Sequence, residues 1–136
     1  MIIGLGVDMV ELSRIRKVMQ EQPHFLHRIL TTVELQELPT KEQRRVEYVA
    51  GRFAVKEAAA KALGTGIGQH LSWLDLEVTN QPSGEPQLSL SPQLFHHHPR
   101  LIGLHATELI SWCSLSHTQE HAIAQVILEC KSSLLT

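Results

Sequence analysis

Aromatic residues are scarce, 4% of the chain, so any core must be built from aliphatic side chains. Cysteine is nearly absent. Cys113 and Cys130 can make one bridge at most, which excludes a disulfide framework and fits reduced thiols in a cytoplasmic protein. No apolar run approaches the length of a membrane span, and the N-terminus lacks a basic stretch followed by a long apolar segment. No membrane partner is therefore expected. Neither charge dominates: 12 Lys and Arg against 14 Asp and Glu leave −2, which argues against nucleic-acid binding through bulk positive charge. There is no internal repeat, and no low-complexity tract beyond His96-His97-His98.

What is present is a globular balance, 43% hydrophobic and 19% charged over 136 residues. That is the size of one domain, spanning 1–136, with a core modest enough for oligomerisation to help it. Charge is unevenly spread. Residues 1–70 hold ten basic and eight acidic side chains, and residues 71–136 hold two and six. An anionic ligand or partner is expected at the first half.

Ile2 to Val10 alternates, with Ile3, Leu5, Val7 and Met9 on one side and Gly4, Gly6 and Asp8 on the other. This reads as a half-buried strand whose glycine side admits close approach by a backbone or ligand. Ser13 is the expected N-cap of a helix that Pro23 closes, with Ile15, Val18 and Met19 as its apolar stripe. Thr31-x-x-Glu34 reads as a capping box for a short helix stopped by Pro39. Thr40-x-x-Gln43 repeats the signal and opens the longest helix, Lys41 to Leu63, closed by Gly64. The apolar stripe Val46, Val49, Ala50, Phe53, Ala54 runs into Glu57 and Lys61 at the next turns. Leu74 to Thr79 and Leu88 to Leu90 flank a Pro82-Ser83-Gly84 turn and predict a hairpin. Pro92 to Leu109 reads as helical but interrupted by Pro99 and Gly103, and Trp112–His117 and Ala122–Glu129 as two closing strands. Strands at both ends with helices between predict an α+β fold, a small antiparallel sheet with helices packed on one side.

Two readings of Asp8 and Glu57 stand on spacing alone. Each is an ordinary carboxylate, Glu57 paired with Lys61 at i, i+4 on a solvated face. Alternatively, the long helix crosses the glycine side of the first strand and brings the carboxylates together. Two oxygen ligands with room for water and phosphate oxygens suit Mg²⁺. Five cations, Arg44, Arg45, Arg52, Lys56 and Lys61, share that helix. Arg45 and Lys56, taken singly, read as solvated. A metal beside Lys61 and an arginine would together neutralise a pyrophosphate. Gly64-Thr65-Gly66-Ile67-Gly68 follows a helix, whereas phosphate-binding glycine loops precede one, so it reads as a terminator. Ser116-His117 has no acid at triad-like spacing, and the histidine reads better as a donor to an anion. The His96–His98 triplet reads as surface, and both cysteines as core thiols.

Gly6-Val7-Asp8-Met9-Val10-Glu11 and the run Arg52-Phe53-Ala54-Val55-Lys56-Glu57-Ala58-Ala59-Ala60-Lys61-Ala62-Leu63-Gly64-Thr65-Gly66 resemble two signatures of the holo-acyl-carrier-protein synthases. These are the short 4′-phosphopantetheinyl transferases. Phe25 to Thr31, Gly84-Glu85-Pro86 and Leu115-Ser116-His117-Thr118 are similar to further landmarks of that family, in the same order along nearly the whole chain.

The resemblance implies transfer of 4′-phosphopantetheine from coenzyme A to a serine of an apo acyl carrier protein, with release of 3′,5′-ADP, in support of fatty acid biosynthesis. On this chain it implies Asp8 and Glu57 as Mg²⁺ ligands and Lys61 as the pyrophosphate ligand, these three being the catalytic set. It further implies Arg44, Arg52 and His117 for the 3′-phosphate, and Gly84, Pro86 and Thr118 for the adenosine end. Arg14, Lys17 and Arg28 would steer an acidic carrier, and Glu57 or water on the metal would take the serine proton. It also implies a homotrimer with sites between subunits. The chain departs from the family pattern over Phe95–Ile110, at His121 where an aromatic is usual, and at Ala60 in place of a small polar residue. Two competing readings are a non-catalytic CoA- or carrier-binding module and a metal-dependent phosphate hydrolase.

Overall fold

The structure, a computed structural model, describes residues 1–131. Strand β1 (Ile2–Glu11) is followed by helices α1 (Leu12–Glu21), α2 (Phe25–Ile29), α3 (Thr32–Gln36) and the long α4 (Glu42–Leu63). Then come a 3₁₀ turn at Trp73–Asp75, strands β2 (Leu76–Asn80) and β3 (Pro86–Leu90), the short α5 (Leu94–His97), and strands β4 (Leu109–His117) and β5 (His121–Cys130). The fold is α+β, with every strand pairing antiparallel. The strands form two sheets, β1-β5-β4 and the hairpin β2-β3. At the seam between them, side chains replace the backbone ladder: the Ser111 hydroxyl donates to Leu88 O at 2.7 Å and the Cys113 thiol to Pro86 O at 3.5 Å.

Helix α4 lies on the inner face of the three-stranded sheet, and the glycines of β1 permit it. A Cβ on Gly4 would sit 2.0 Å from the Ala62 carbonyl oxygen, and one on Gly6 1.9 Å from that of Ala58. Any side chain there would push strand and helix apart. The buried half of β1 is thus the glycine half. Its apolar half points outward: Leu5, Val7 and Met9 are exposed, and Ile123 and Trp112 extend the same apolar face across β5 and β4. Val10 and the alanines, valine and leucine of β5 (Ala122, Ala124, Val126, Leu128) seal the inner side. Small residues on both surfaces let helix and sheet approach closely, which suits a chain with few aromatics.

Several local expectations change. Ser13 does not cap α1; Glu11 occupies that position, without a side-chain hydrogen bond. The Thr40 box does not form either, since α4 starts at Glu42 with Lys41 as an unassisted cap; Gln43 instead accepts from Arg16 at 2.5 Å. The Thr31–Glu34 box forms in full. Gly64 ends α4 at φ +80, as expected of a left-handed terminator. Between Pro92 and Leu109 only Leu94–His97 is α-helical, because Pro99 and Gly103 divide the segment into turns.

His98 is fully buried rather than on the surface. Its Nε2 meets the Thr65 hydroxyl at 2.9 Å and its Nδ1 accepts from Arg100 N at 3.1 Å. Arg100 in turn donates to Ala62 O at 2.8 Å, satisfying a carbonyl in the last turn of α4.

Candidate functional site

Asp8 sits on the glycine side of β1, opposite Ala124 of the central strand β5. Two residues beyond Gly6, its carboxylate is carried to the surface of α4 where Glu57 and Lys61 lie one turn apart. Lys61 Nζ donates to Asp8 Oδ1 at 3.1 Å and to Val7 O at 3.0 Å. The Asp8 side chain is largely buried and that of Lys61 half exposed. Glu57 holds its proton more tightly than a free glutamate, first because burial disfavours the anion and second because the Asp8 charge repels it; Lys61 partly offsets both. The long helix does cross the glycine side of β1, and Lys61, one turn from Glu57, pairs with Asp8 there.

The electrostatics say what this cluster accepts. Two carboxylates face one ammonium, and the second negative charge is resisted. A cation between the carboxylates would relieve that repulsion. Two hard carboxylates are a donor set that Mg²⁺, which takes most of its shell from water and phosphate, would accept, although the described residues hold no group of three or more His, Cys, Asp or Glu arranged for a metal. Lys61 has spent two of its three N–H donors and keeps one for an anion.

The remaining candidates lie elsewhere. Arg52 is buried on α4, its guanidinium carbon 3.9 Å from the Tyr48 ring centroid. Its Nε and Nη2 have no hydrogen-bond partner among the described residues, which is costly for a buried cation unless an anion arrives. Pro86 opens β3, where its carbonyl accepts from the Cys113 thiol of β4. Gly84 forms the hairpin turn at φ +89. His117 and Thr118 are exposed at the β4–β5 turn, where the Thr118 hydroxyl accepts from Glu120 N and His121 N. Glu120 O also accepts from Leu12 N, which ties this turn to the start of α1. Arg44, Arg14, Lys17 and Arg28 are exposed, the first on α4, the next two on α1 and the last on α2. No hydrogen bond among the described residues joins the Asp8 cluster, Arg52, Pro86 and the His117–Thr118 turn.

Lys56 is not solvated. It is fully buried, and its ammonium donates to Glu34 Oε1 at 2.7 Å, Ile29 O at 2.5 Å and Trp73 O at 3.3 Å. Burial pushes its pKa down and Glu34 pushes back. Glu34, read in the sequence only as a capping residue, also accepts Val78 N at 2.7 Å, and its backbone carbonyl accepts the Tyr48 hydroxyl at 2.7 Å. The spacing Tyr48, Arg52, Lys56 at i, i+4, i+8 was the available signal that these side chains share one face.

Comparison with known proteins shows which family the chain resembles. The profile of the 4′-phosphopantetheinyl transferase superfamily matches residues 4–126. A holo-[acyl-carrier-protein] synthase of Anoxybacillus flavithermus is 45% identical over 98% of this chain and 100% of its own length. Among solved structures, the holo-(acyl-carrier-protein) synthase of Bacillus anthracis in complex with CoA (3′,5′-ADP) superposes with a TM-score of 0.79 at 44% identity, over 96% of this chain and 98% of that one. The Helicobacter pylori synthase in complex with coenzyme A superposes with a TM-score of 0.75 at 32% identity, over 92% and 99%.

Proposed function

Since the chain belongs to the 4′-phosphopantetheinyl transferase superfamily, we propose that it is a holo-acyl-carrier-protein synthase that moves 4′-phosphopantetheine from coenzyme A to a serine of an apo acyl carrier protein. The observation that carries this is the meeting of Asp8, Glu57 and Lys61 on the glycine side of β1. The serine oxygen bonds to the β-phosphorus of CoA, the bond from that phosphorus to the bridging oxygen breaks, and 3′,5′-ADP leaves.

Asp8 and Glu57 hold Mg²⁺, which when bound polarises the phosphoryl group and offsets charge on the leaving phosphate. Lys61 gives its free N–H to the pyrophosphate while Asp8 and the Val7 carbonyl fix its direction. Glu57, or water on the metal, would accept the serine proton. Arg52 supplies its unpartnered guanidinium nitrogens to the 3′-phosphate with Arg44 and His117, and Gly84, Pro86 and Thr118 line the adenosine end.

The reading includes a homotrimer whose sites lie between subunits, and the apolar outer face of β1, β5 and β4, where Leu5 is 60% and Met9 63% exposed, supports it, since such a patch favours burial by another copy. Arg14, Lys17 and Arg28 steer the acidic carrier, and fatty acid biosynthesis in the cytoplasm is the setting. Incubation with CoA, Mg²⁺ and an apo carrier, followed by mass spectrometry of the carrier, tests the reading. A phosphopantetheine mass gain is expected. CoA bound but intact would make the protein a binding module, and CoA cleaved without transfer a hydrolase.

A further inference from the structure

Arg52 is a buried arginine that no carboxylate pairs with among the described residues. The structure holds Arg52 from below. Tyr48, one turn earlier on α4, places its ring 3.9 Å under the guanidinium carbon. A cation over an aromatic face is attracted without losing hydrogen-bond donors in the ring plane. Arg52 thus keeps Nε and Nη2 uncommitted, whereas a carboxylate partner would have consumed them.

Tyr48 is itself fixed. Its hydroxyl donates to the backbone carbonyl of Glu34 at 2.7 Å. That carbonyl cannot drift, because the Glu34 side chain is clamped: Oε1 accepts Thr31 N at 2.8 Å and Lys56 Nζ at 2.7 Å, and Oε2 accepts Val78 N at 2.7 Å. Lys56 returns the clamp to α4 two turns beyond Tyr48. Helix α3 therefore grips α4 on both sides of Arg52, through a carbonyl at one end and a carboxylate at the other.

We propose that Tyr48, braced by Glu34, is a positioning residue that holds the Arg52 guanidinium unpaired and aimed for the 3′-phosphate of the donor. This deepens the reading of Arg52 given above and rests on it. The role is one of aim and of specificity. A loose arginine would pay for ordering each time the donor bound, and a paired one would have to break an ion pair.

The test compares CoA with dephospho-CoA, which lacks only the 3′-phosphate. Tyr48→Leu removes ring and hydroxyl at a half-buried position. It should raise the KM for CoA about tenfold while leaving kcat and the KM for dephospho-CoA close to wild type. Tyr48→Phe keeps the ring and should recover most of the loss. Circular dichroism confirms that each variant is folded. Arg52→Ala is run beside them and should sharply reduce the preference for CoA, with Arg44 and His117 keeping the remainder. If Arg52→Ala loses that preference but Tyr48→Leu keeps it, or raises both KM values alike, Tyr48 has no positioning role. If Arg52→Ala retains the preference undiminished, Arg52 does not hold the 3′-phosphate and the proposal falls with that assignment.

Discussion

Gly6→Ala is the most exacting substitution this fold allows. The added methyl would lie 1.9 Å from the Ala58 carbonyl oxygen and 2.9 Å from Ala62 N, both backbone atoms of α4 that no rotamer change can move. Opening that contact to the ordinary 3.4 Å parts β1 from α4 by about 1.5 Å, two residues from Asp8. Overpacking of this kind costs about 3 kcal/mol or more, a fall in Tm of roughly 10 °C for a domain of this size. A misplacement on the order of 1 Å at a reacting centre also costs around a hundredfold in rate.

Gly51→Ala is the internal control. Its methyl would meet Leu115 Cδ2 at 2.8 Å, the far end of a flexible side chain. Alanine gains about 1 kcal/mol over glycine inside a helix, so the net change should stay within about 1 kcal/mol. Thermal denaturation and single-turnover transfer to the carrier, measured on both variants, decide the matter. Wild-type Tm and rate in Gly6→Ala would refute the claim that glycine-permitted contact builds the site.

Further outcomes follow from the same contacts. A raised folded-state pKa means that the ionised form of Glu57 weighs against the fold, so its contribution to stability is present at low pH and lost as pH rises through that pKa. Glu57→Gln should accordingly stabilise the metal-free protein at neutral pH, by less than about 1 kcal/mol given solvent screening, and should erase the stabilisation that Mg²⁺ gives the wild type in calorimetry. Lys56→Met strands the buried Glu34 carboxylate and should cost about 3–5 kcal/mol by urea denaturation, and Lys56→Met with Glu34→Leu should recover part of it. Val7→Asp, on the exposed apolar face, should convert a trimer into monomers by mass photometry without lowering helix content. An unchanged mass would remove that face from the assembly.

Much of this was legible in the sequence because it is local. The alternation of Ile2–Val10, the Thr31–Glu34 box, the Gly64 stop and the β2–β3 hairpin are each decided by neighbours within a few positions. The convergence of Asp8 and Glu57 was visible only as one of two readings, since pairing across 49 positions depends on which strand face meets the helix. Two glycines decided it, by making their own side the closer packing surface. Lys56 was misread because its partners Ile29, Glu34 and Trp73 come from three different segments. His98 was misread for the same reason, its contacts being Thr65 far upstream and Arg100 just beyond a proline. Composition and periodicity say that a charge is present, but burial is a property of what folds over it.

Titration with Mn²⁺ as a paramagnetic stand-in for Mg²⁺, with CoA present and followed by electron spin resonance, reaches the heart of the account. One tightly held ion per chain is predicted, and Asp8→Asn and Glu57→Gln should each lose it although both remain folded. If either variant retains the ion with wild-type affinity, the two carboxylates do not share a cation and the mechanism built on them is contradicted.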